Sequence, residues 1–327
     1  MQLVIGYIYD SNKGSYGYKM KTEQTYPIGV AGQKWGDAEI ATWRANQVIK
    51  RSYNDKVLKQ IHEVGGQLTA IQYGELIYAS ANYPLYALKS LHWDDNLPNI
   101  LVTGGVHGYE TSGVHGAIRF AQDAVKDYLD QYNFIIVPCV SPWGYETINR
   151  WNPNAIDPNR SFYANSPAQE SALLIALIDS LAVEFFMHID LHETTDTDNS
   201  EFRPALAARD AIEQKQWDIP DGFYLVGDTT KPADAFQTAI INKVQGVTHI
   251  APTDQQQRII GEPITQLGVI NYAARELGLC MGMTNAPYVT TTEVYPDSNL
   301  VDDENCIQAQ VAAVCGALES LSWSVIK

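Results

Sequence analysis

The chain has 327 residues, enough for one large α/β domain or two domains of average size. Its hydrophobic content of 45% and charged content of 18% are typical of a globular protein with a sizeable core. The net charge of −16 argues against a nucleic-acid partner, because a phosphate backbone is bound by a basic face. No apolar run reaches the roughly 20 residues that span a bilayer. The N-terminus also lacks a basic segment and a small-residue cleavage site, so we expect no membrane partner and a cytoplasmic location.

The first predicted element is a helix over residues 37–64. It follows about 30 residues that are rich in Tyr, Gly and Lys and have no clear periodicity. Trp43, Val48 and Ile61 are among the apolar residues that recur there at helical spacing.

From about residue 66 the pattern changes to short strands that alternate with helices. We predict strands over 97–105, 134–142, 185–192 and 288–295, and helices over 112–132, 171–183 and 302–321. This alternation is typical of an α/β protein with a mixed, mainly parallel central sheet and helices on both faces. We therefore predict an N-terminal extension, residues 1–65, packed on a catalytic domain, residues 66–327.

Polar side chains follow two of the predicted inner strands. His107 and Glu110 come after the first, in GGVHGYETSG, and His192 ends a later one. Functional groups of such sheets collect beyond the carboxyl ends of the strands. Two imidazoles and one carboxylate are a ligand set of catalytic zinc that leaves one position open. An isolated His-x-x-Glu is weak evidence, but three ligand types at strand ends predict a metal site.

Three motifs in order carry a resemblance to a known family. They are GGVHGYE, SPWGYETINRWNPNAIDPNRSF and HIDLHET. Together they resemble the zinc carboxypeptidases, a family that includes the succinylglutamate desuccinylase and aspartoacylase branch. The similarity covers roughly residues 66–322. It implies the carboxypeptidase A-like fold and one zinc ion per chain, held by His107, Glu110 and His192.

The resemblance also implies roles for the loop between the two ligand motifs. Asp157 is expected to accept a hydrogen bond from the outer nitrogen of His107, which fixes the ring. Asn159 and Arg160 are expected to hold the carboxylate of the substrate, a group that a guanidinium binds in bidentate fashion. Arg150 is expected to polarise the scissile carbonyl and to stabilise the oxyanion.

The family places its general base, a glutamate, on a late strand. Glu293 in YVTTTEVYP is the best match, and burial there would raise its pKa toward the useful range. Glu262 and Glu276 are rivals. The resemblance also implies a tyrosine that covers the substrate, for which Tyr272 and Tyr288 are candidates.

Four further residues have weaker expectations. Asp190 and Glu193 flank His192 and either orient it or lie in solvent. His188 is too far along the strand to share an ion with His192, since residues in a strand are spaced by about 3.3 Å, so we expect it in the core. His115 is expected to pack.

Together these features predict a zinc-dependent hydrolase that cleaves an amide bond next to a free carboxylate. The preferred interpretation is a metallocarboxypeptidase that releases a C-terminal residue from peptides. A deacylase of small N-acyl amino acids is the first alternative. A non-catalytic relative that binds peptides is the second, and the presence of every predicted ligand counts against it. No oligomeric state follows from the sequence.

Overall fold

A computed structural model describes residues 4–10, 15–21, 26–78 and 81–321 of the chain, with side chains for 26–78 and 81–321. The strands in this part are β1 Val4–Asp10, β2 Ser15–Lys21, β3 Leu68–Tyr78, β4 Ala81–Ser90, β5 Asn99–Gly104, β6 Asn133–Val137, β7 Phe185–Glu193, β8 Tyr224–Asp228, β9 Arg258–Ile259, β10 Glu262–Pro263, β11 Val269–Tyr272 and β12 Tyr288–Val294. The α-helices are α1 Asp37–Ala45, α2 Lys59–Glu63, α3 Thr111–Arg119, α4 Pro142–Thr147, α5 Gln169–Leu181, α6 Arg203–Asp210, α7 Asp234–Val244 and α8 Asp303–Ser320. Short π-helical turns precede α2 and α6 and follow α3, at Asn54–Leu58, Asp198–Phe202 and Phe120–Ala124.

The centre of the fold is an eight-stranded sheet with the order β11-β8-β12-β7-β5-β6-β4-β3. Its middle strands β12, β7, β5 and β6 run parallel, whereas β8 pairs antiparallel with β12, and β4 pairs antiparallel with both β6 and β3. The predicted mixed, mainly parallel sheet is therefore confirmed.

Helices cover both faces of this sheet, as predicted. On β5, the buried side chains of Ile100 and Val102 belong to the core that also includes residues of α3 and α8. Leu101 points to the opposite core, where it joins Leu174 and Leu177 of α5. Successive side chains of a strand alternate between faces. The continuous apolar run of this strand is thus explained by burial on both sides.

The predicted strands over 97–105, 185–192 and 288–295 and the closing helix agree with the structure to within two residues, whereas the strand over 134–142 already ends at Val137. The helix over 37–64 is wrong as a single element. It is interrupted after α1, and Val48 in the interruption is 60% exposed. There the backbone N–H groups of Lys50 and Arg51 donate to the carbonyl of Glu146 at 2.8 and 3.3 Å. The apolar periodicity of the sequence extends across the break because Trp43 before it and Ile61 after it are both buried.

Residues 26–64 pack against the remainder of the chain through aromatic side chains. Trp43 of α1 lies between Trp143 and Trp151, with ring centroids 6.0 and 5.6 Å apart. Residues 1–3, 11–14 and 22–25 of the predicted extension lie outside the described part. The division of the chain at residue 65 stays a prediction.

Among the described helices, none combines the length and the apolar character needed to cross a membrane.

Candidate metal centre

The two predicted histidine ligands are brought together by neighbouring parallel strands. Gly104, the last residue of β5, is in register with Leu191 of β7, so His107 and His192 follow at the same edge of the sheet. Their ring centroids are 5.0 Å apart. The turn after β5 passes through Gly105 at a φ of +60°, where a Cβ would lie 2.6 Å from the side chain of Val114. A residue with a side chain is therefore disfavoured at this turn.

Glu110 lies between the two imidazoles. Its Oε1 is 2.7 Å from Nδ1 of His107, and its Oε2 is 2.7 Å from Nδ1 of His192. The three residues are at most 2% exposed, and one ligand atom from each lies within 4.8 Å of the others. Glu110 Oε2 has no partner in hydrogen-bond geometry among the described residues, despite its short distance to His192. A buried acceptor of this kind fits a cation, because an unpaired carboxylate oxygen is costly to bury.

The outer nitrogens of both imidazoles are held by carboxylates. Nε2 of His107 lies 2.9 Å from Oδ1 of Asp157, and Nε2 of His192 lies 2.7 Å from Oδ2 of Asp190. The other oxygen of Asp190 accepts a hydrogen bond from Thr103 at 2.6 Å. A carboxylate at Nε2 favours the tautomer with its proton there and leaves the lone pair of Nδ1 for a metal. The donor set therefore fits a zinc ion with two imidazole nitrogens and one carboxylate.

Glu110 is buried, and the two imidazoles beside it act on its pKa in the direction opposite to burial. Burial alone raises the pKa of a carboxyl group, but the adjacent imidazoles of His192 and His107 lower that of Glu110 to about 2. A ligand must be deprotonated to bind a metal. The carboxylate is thus already in the form that a cation requires.

Arg150 is fixed next to this cluster by two carboxylates. Its Nε donates to Oδ2 of Asp157 at 3.0 Å, and its Nη1 donates to Oδ1 of Asp198 at 3.4 Å. Nη2 has no hydrogen-bond partner among the described residues. Asp157 thus joins the histidine and the arginine that the sequence motif places near it, and Arg150 keeps one donor for a further oxygen.

Arg160 lies exposed on the same cavity and has a different environment. Its Nη1 donates to the backbone carbonyl of Asn159 at 2.7 Å, and within the described chain no carboxylate forms an ion pair with it. The Asn159 side chain is 6% exposed and accepts a hydrogen bond from the N–H of Cys280 at 2.8 Å. Its Nδ2 lies 3.4 Å from Nε2 of His192. Of Asn159 and Arg160, the two residues predicted to bind the carboxylate of the substrate, Arg160 therefore has fewer partners within the described chain.

Glu293 is the predicted base that the structure places beside the cluster. On β12 it is in register with His192 of β7, and Thr194 donates a hydrogen bond to its Oε2 at 2.9 Å. Burial raises the pKa of Glu293 to about 8, and the negative charge of Glu110 adds to this, while His192 opposes it. A divalent cation at the cluster would lower this pKa by attraction. The rivals lie elsewhere: Glu262 is on the short strand β10 and Glu276 is exposed, and neither lines the cavity.

One cavity of about 740 Å³ is lined by most of these groups, including His107, Glu110, Arg160 and Glu293, whereas His192 does not line it. Of the two tyrosine candidates, Tyr272 lines it, whereas Tyr288 packs against Phe186 and Phe236. Trp35, from the segment before α1, also lines the cavity.

For some residues around the site the sequence left the environment undecided, and others were not identified by the motifs. Asp190 and Glu193 are buried and hydrogen-bonded rather than solvated. Thr103 and Asp198 were not identified from the sequence. Only their positions, near a strand end and near a ligand motif, could have indicated them. His188 is buried 3.0 Å from the hydroxyl of Thr103, in agreement with its expected place in the core.

A comparison with protein-family models matches residues 78–192 to the zinc carboxypeptidase family. The match contains both ligand motifs and the loop between them. No curated protein matches the chain by sequence. The resemblance that the three motifs carry is therefore confirmed, and it supports a metallopeptidase function for the His-Glu-His cluster.

Three solved structures with a similar fold have the name of a metallopeptidase or a carboxypeptidase. A provisionally named metallopeptidase from Shewanella amazonensis SB2B is 18% identical, with a TM-score of 0.62 over 85% of this chain and 99% of its own. A metallo-carboxypeptidase from Burkholderia cenocepacia is 15% identical, with a TM-score of 0.54 over 89% of this chain and 70% of its own. Carboxypeptidase A from Helicoverpa armigera is 13% identical, with a TM-score of 0.54 over 97% of this chain and 85% of its own. At such low identity these comparisons show the fold.

Proposed function

We propose that this chain, which resembles the zinc carboxypeptidases in fold and motif order, is a zinc metallocarboxypeptidase with one ion per chain. In this proposal His107, Glu110 and His192 hold the ion. The observation that carries the proposal is the position of Glu293 and Arg160 in the same cavity as this cluster. A base and a free guanidinium beside a metal site suit the hydrolysis of an amide bond next to a carboxylate.

When bound, zinc supplies Lewis acidity that activates a water molecule and polarises a carbonyl. Glu293 is proposed to accept the proton of the attacking water and to deliver it to the nitrogen of the leaving amine. Burial raises the pKa of Glu293 and a bound cation would lower it, so the carboxylate in the metal-bound protein is suited to accept a proton. Thr194, through its hydrogen bond to Oε2, leaves Oε1 of Glu293 for this exchange.

Arg150 is proposed to donate to the oxyanion that develops on the scissile carbonyl. Its guanidinium is held at Nε and Nη1 by Asp157 and Asp198, so the free Nη2 does not need to be reoriented during the reaction. A preorganised donor of this kind stabilises the transition state more than the ground state.

Arg160, with Asn159, is proposed to bind the terminal carboxylate. In a chain with a net charge of −16, an arginine in a cavity without an acidic partner in the described chain is free to pair with an anion of the substrate. The Nδ2 amide of Asn159 offers a second donor beside it.

The side chain of the C-terminal residue is proposed to enter an apolar side of the cavity. Tyr224 and Val226 of β8 are in register with Glu293 and Thr291 of β12, and all four line the cavity. Leu279 closes this side. Apart from Glu293 none of these residues carries a charge, so we expect a preference for C-terminal residues with apolar side chains.

The size of the cavity favours peptides over small N-acyl amino acids. It extends from Arg160 and Leu279 past the metal ligands to Lys34 and Trp35 of the N-terminal segment. A C-terminal residue alone occupies only one end of this space. The remainder suits the residues that precede the scissile bond.

A panel of hydrolysis assays with zinc-loaded protein tests the proposal. The panel contains peptides that end in Phe, Leu, Lys or Asp, their C-terminal amides, and N-acetyl and N-succinyl amino acids. We expect one zinc per chain and release of Phe or Leu, with little hydrolysis of the amides. Turnover of the N-acyl amino acids alone would favour the deacylase, and stoichiometric zinc without any turnover would favour a binding protein.

A further inference from the structure

Arg51, in the break between α1 and α2, is bound to the turn that carries two of the metal ligands. Its Nη2 donates to the carbonyls of Gly108 and Tyr109 at 3.0 and 3.4 Å, and its Nη1 donates to the hydroxyl of Thr111 at 2.7 Å. Its Nε donates to the carbonyl of Tyr145 at 2.6 Å, and the guanidinium lies 3.5 Å from the centre of the Tyr145 ring. One side chain therefore ties the segment before the sheet to α4 and to the turn around Glu110.

Glu193 binds the same turn from the opposite side. Its Oε2 accepts from the N–H of Thr111 at 3.1 Å, and its Oε1 accepts from the N–H of Ser112 at 2.6 Å. Arg51 thus binds the carbonyls before Glu110, and Glu193 binds the amides after it. The contacts of the Arg51 guanidinium are charge-assisted, which makes them stronger than ordinary backbone hydrogen bonds.

The turn needs such support because it is not part of a regular element. Glu110 has φ −74° and ψ 87° and lies just before the first residue of α3, so the helix does not fix its conformation. Gly108 on the other side is packed so closely on α4 that a Cβ would lie 2.1 Å from the carbonyl of Ser141. A shift of this backbone would move the carboxylate of Glu110 relative to both imidazoles.

We propose that Arg51 and Glu193 form a clamp that positions Glu110 for metal binding. This inference rests on the proposed function, because it assumes that His107, Glu110 and His192 hold the ion. The clamp acts through the backbone of the turn, since both of its side chains bind backbone groups there. It also gives the N-terminal segment a direct part in the metal centre, although that segment lies outside the three sequence motifs.

The clamp is tested by changing Arg51 and measuring metal binding directly. Arg51→Met keeps an unbranched side chain over Tyr145 and removes all four hydrogen bonds of the guanidinium, while Arg51→Lys keeps the charge with a single nitrogen. Lys50→Met is the matched control, because Lys50 is the exposed neighbour. For each protein we would measure the dissociation constant of Zn²⁺ by chelator competition and the visible spectrum of the Co²⁺ form. Amide exchange over residues 108–112 would be measured without metal.

We expect Arg51→Met to weaken Zn²⁺ binding by about 10- to 100-fold, which is typical when a group that orients a ligand is lost. Arg51→Lys should lie between this variant and the wild type, and Lys50→Met should match the wild type. The Co²⁺ spectrum should change in Arg51→Met, and the amides of the turn should exchange faster even without metal. A folded Arg51→Met with the Zn²⁺ affinity and Co²⁺ spectrum of Lys50→Met would refute the clamp.

A second variant decides the matter if Arg51→Met does not fold. Thr111→Val removes one acceptor of Arg51, together with the hydrogen bond that the Thr111 hydroxyl donates to the carbonyl of Tyr109 at 3.1 Å, and leaves the guanidinium in place. A several-fold loss of Zn²⁺ affinity would support the clamp, and an unchanged affinity and Co²⁺ spectrum would refute it. The proposed function fails separately: a wild type that binds Zn²⁺ without hydrolysing any substrate would contradict the hydrolase, while the binding measurements would still judge the clamp.

Discussion

Replacement of Glu293 by glutamine tests the proposed proton path with little disturbance of the site. Glu293 is not one of the three clustered ligands, so Zn²⁺ should bind the variant as it binds the wild type. The amide has nearly the shape of the carboxyl group, and its oxygen can accept the hydrogen bond that Thr194 donates at 2.9 Å. The change therefore removes the ability to accept a proton and leaves the fold and the ligand cluster in place.

The expected loss is large because the other carboxylates near the cluster are already engaged. Asp157 binds His107 and Arg150, and Asp198 accepts from Arg150 and from the backbone of Thr195. A positioned general acid–base group contributes about 10²- to 10⁴-fold to the rate. Since no described carboxylate is free to substitute, we expect kcat to fall by about 10³- to 10⁴-fold, or about 4 to 5.5 kcal/mol of activation free energy.

The assay compares kcat, KM and zinc content of Glu293→Gln with those of Glu262→Gln. Glu262 is the rival base and lies outside the cavity lining, so its variant should retain full activity. A Glu293→Gln protein that binds zinc and keeps its kcat would refute the assignment. Loss of activity in Glu262→Gln alone would transfer the role of the base to Glu262.

Three further predictions concern the anchor, the metal and a buried histidine. Arg160→Ala should lower kcat/KM for peptides with a free C-terminus by about 10- to 150-fold, because hydrogen bonds to charged groups contribute about 1.5 to 3 kcal/mol; amidated peptides, assayed in parallel, should show no such loss. Zinc at 1,000 times its Kd should raise the free energy of unfolding by about 4 kcal/mol, and thermal melts of His192→Ala should show no comparable shift. Burial lowers the pKa of His115 to about 4, so its neutral form stabilises the fold above the unfolded pKa of about 6.5. This contribution is lost as the pH falls from about 6.5 to 4. Denaturant titrations should show that the free energy of unfolding falls over this range by about 2 kcal/mol less in His115→Gln than in the wild type.

The sequence predicted those parts of the fold and site that depend on strand ends. His107 follows β5 and His192 lies at the end of β7, and parallel inner strands bring such residues to one edge of the sheet. Glu293 had the strand context of a partly desolvated position, and in the structure it is half-buried on β12. The placement of the two histidines follows from regular elements and their direction, so a linear pattern is sufficient to predict it. The choice of Glu293 as the base came from the resemblance to the zinc carboxypeptidases.

The contacts of Arg51 could not be predicted from the sequence. Trp43 before it and Ile61 after it fit one helical periodicity, so the sequence pattern does not indicate the break in which Arg51 lies. The partners of Arg51 are mainly backbone carbonyls, which every residue possesses, so no residue type in the sequence marks them. Only the tertiary structure brings this segment to the turn.

Arg150 and Arg160 illustrate the same distinction within one motif. Both arginines lie in one loop, and their residue type gives them identical chemistry. Arg150 is held by Asp157 and Asp198, which fix its direction, whereas Arg160 has no acidic partner in the described chain. A fixed guanidinium suits a charge that appears only during the reaction, and an unpaired one suits a charge that arrives with the substrate. Their proposed roles therefore follow from the carboxylates that surround them.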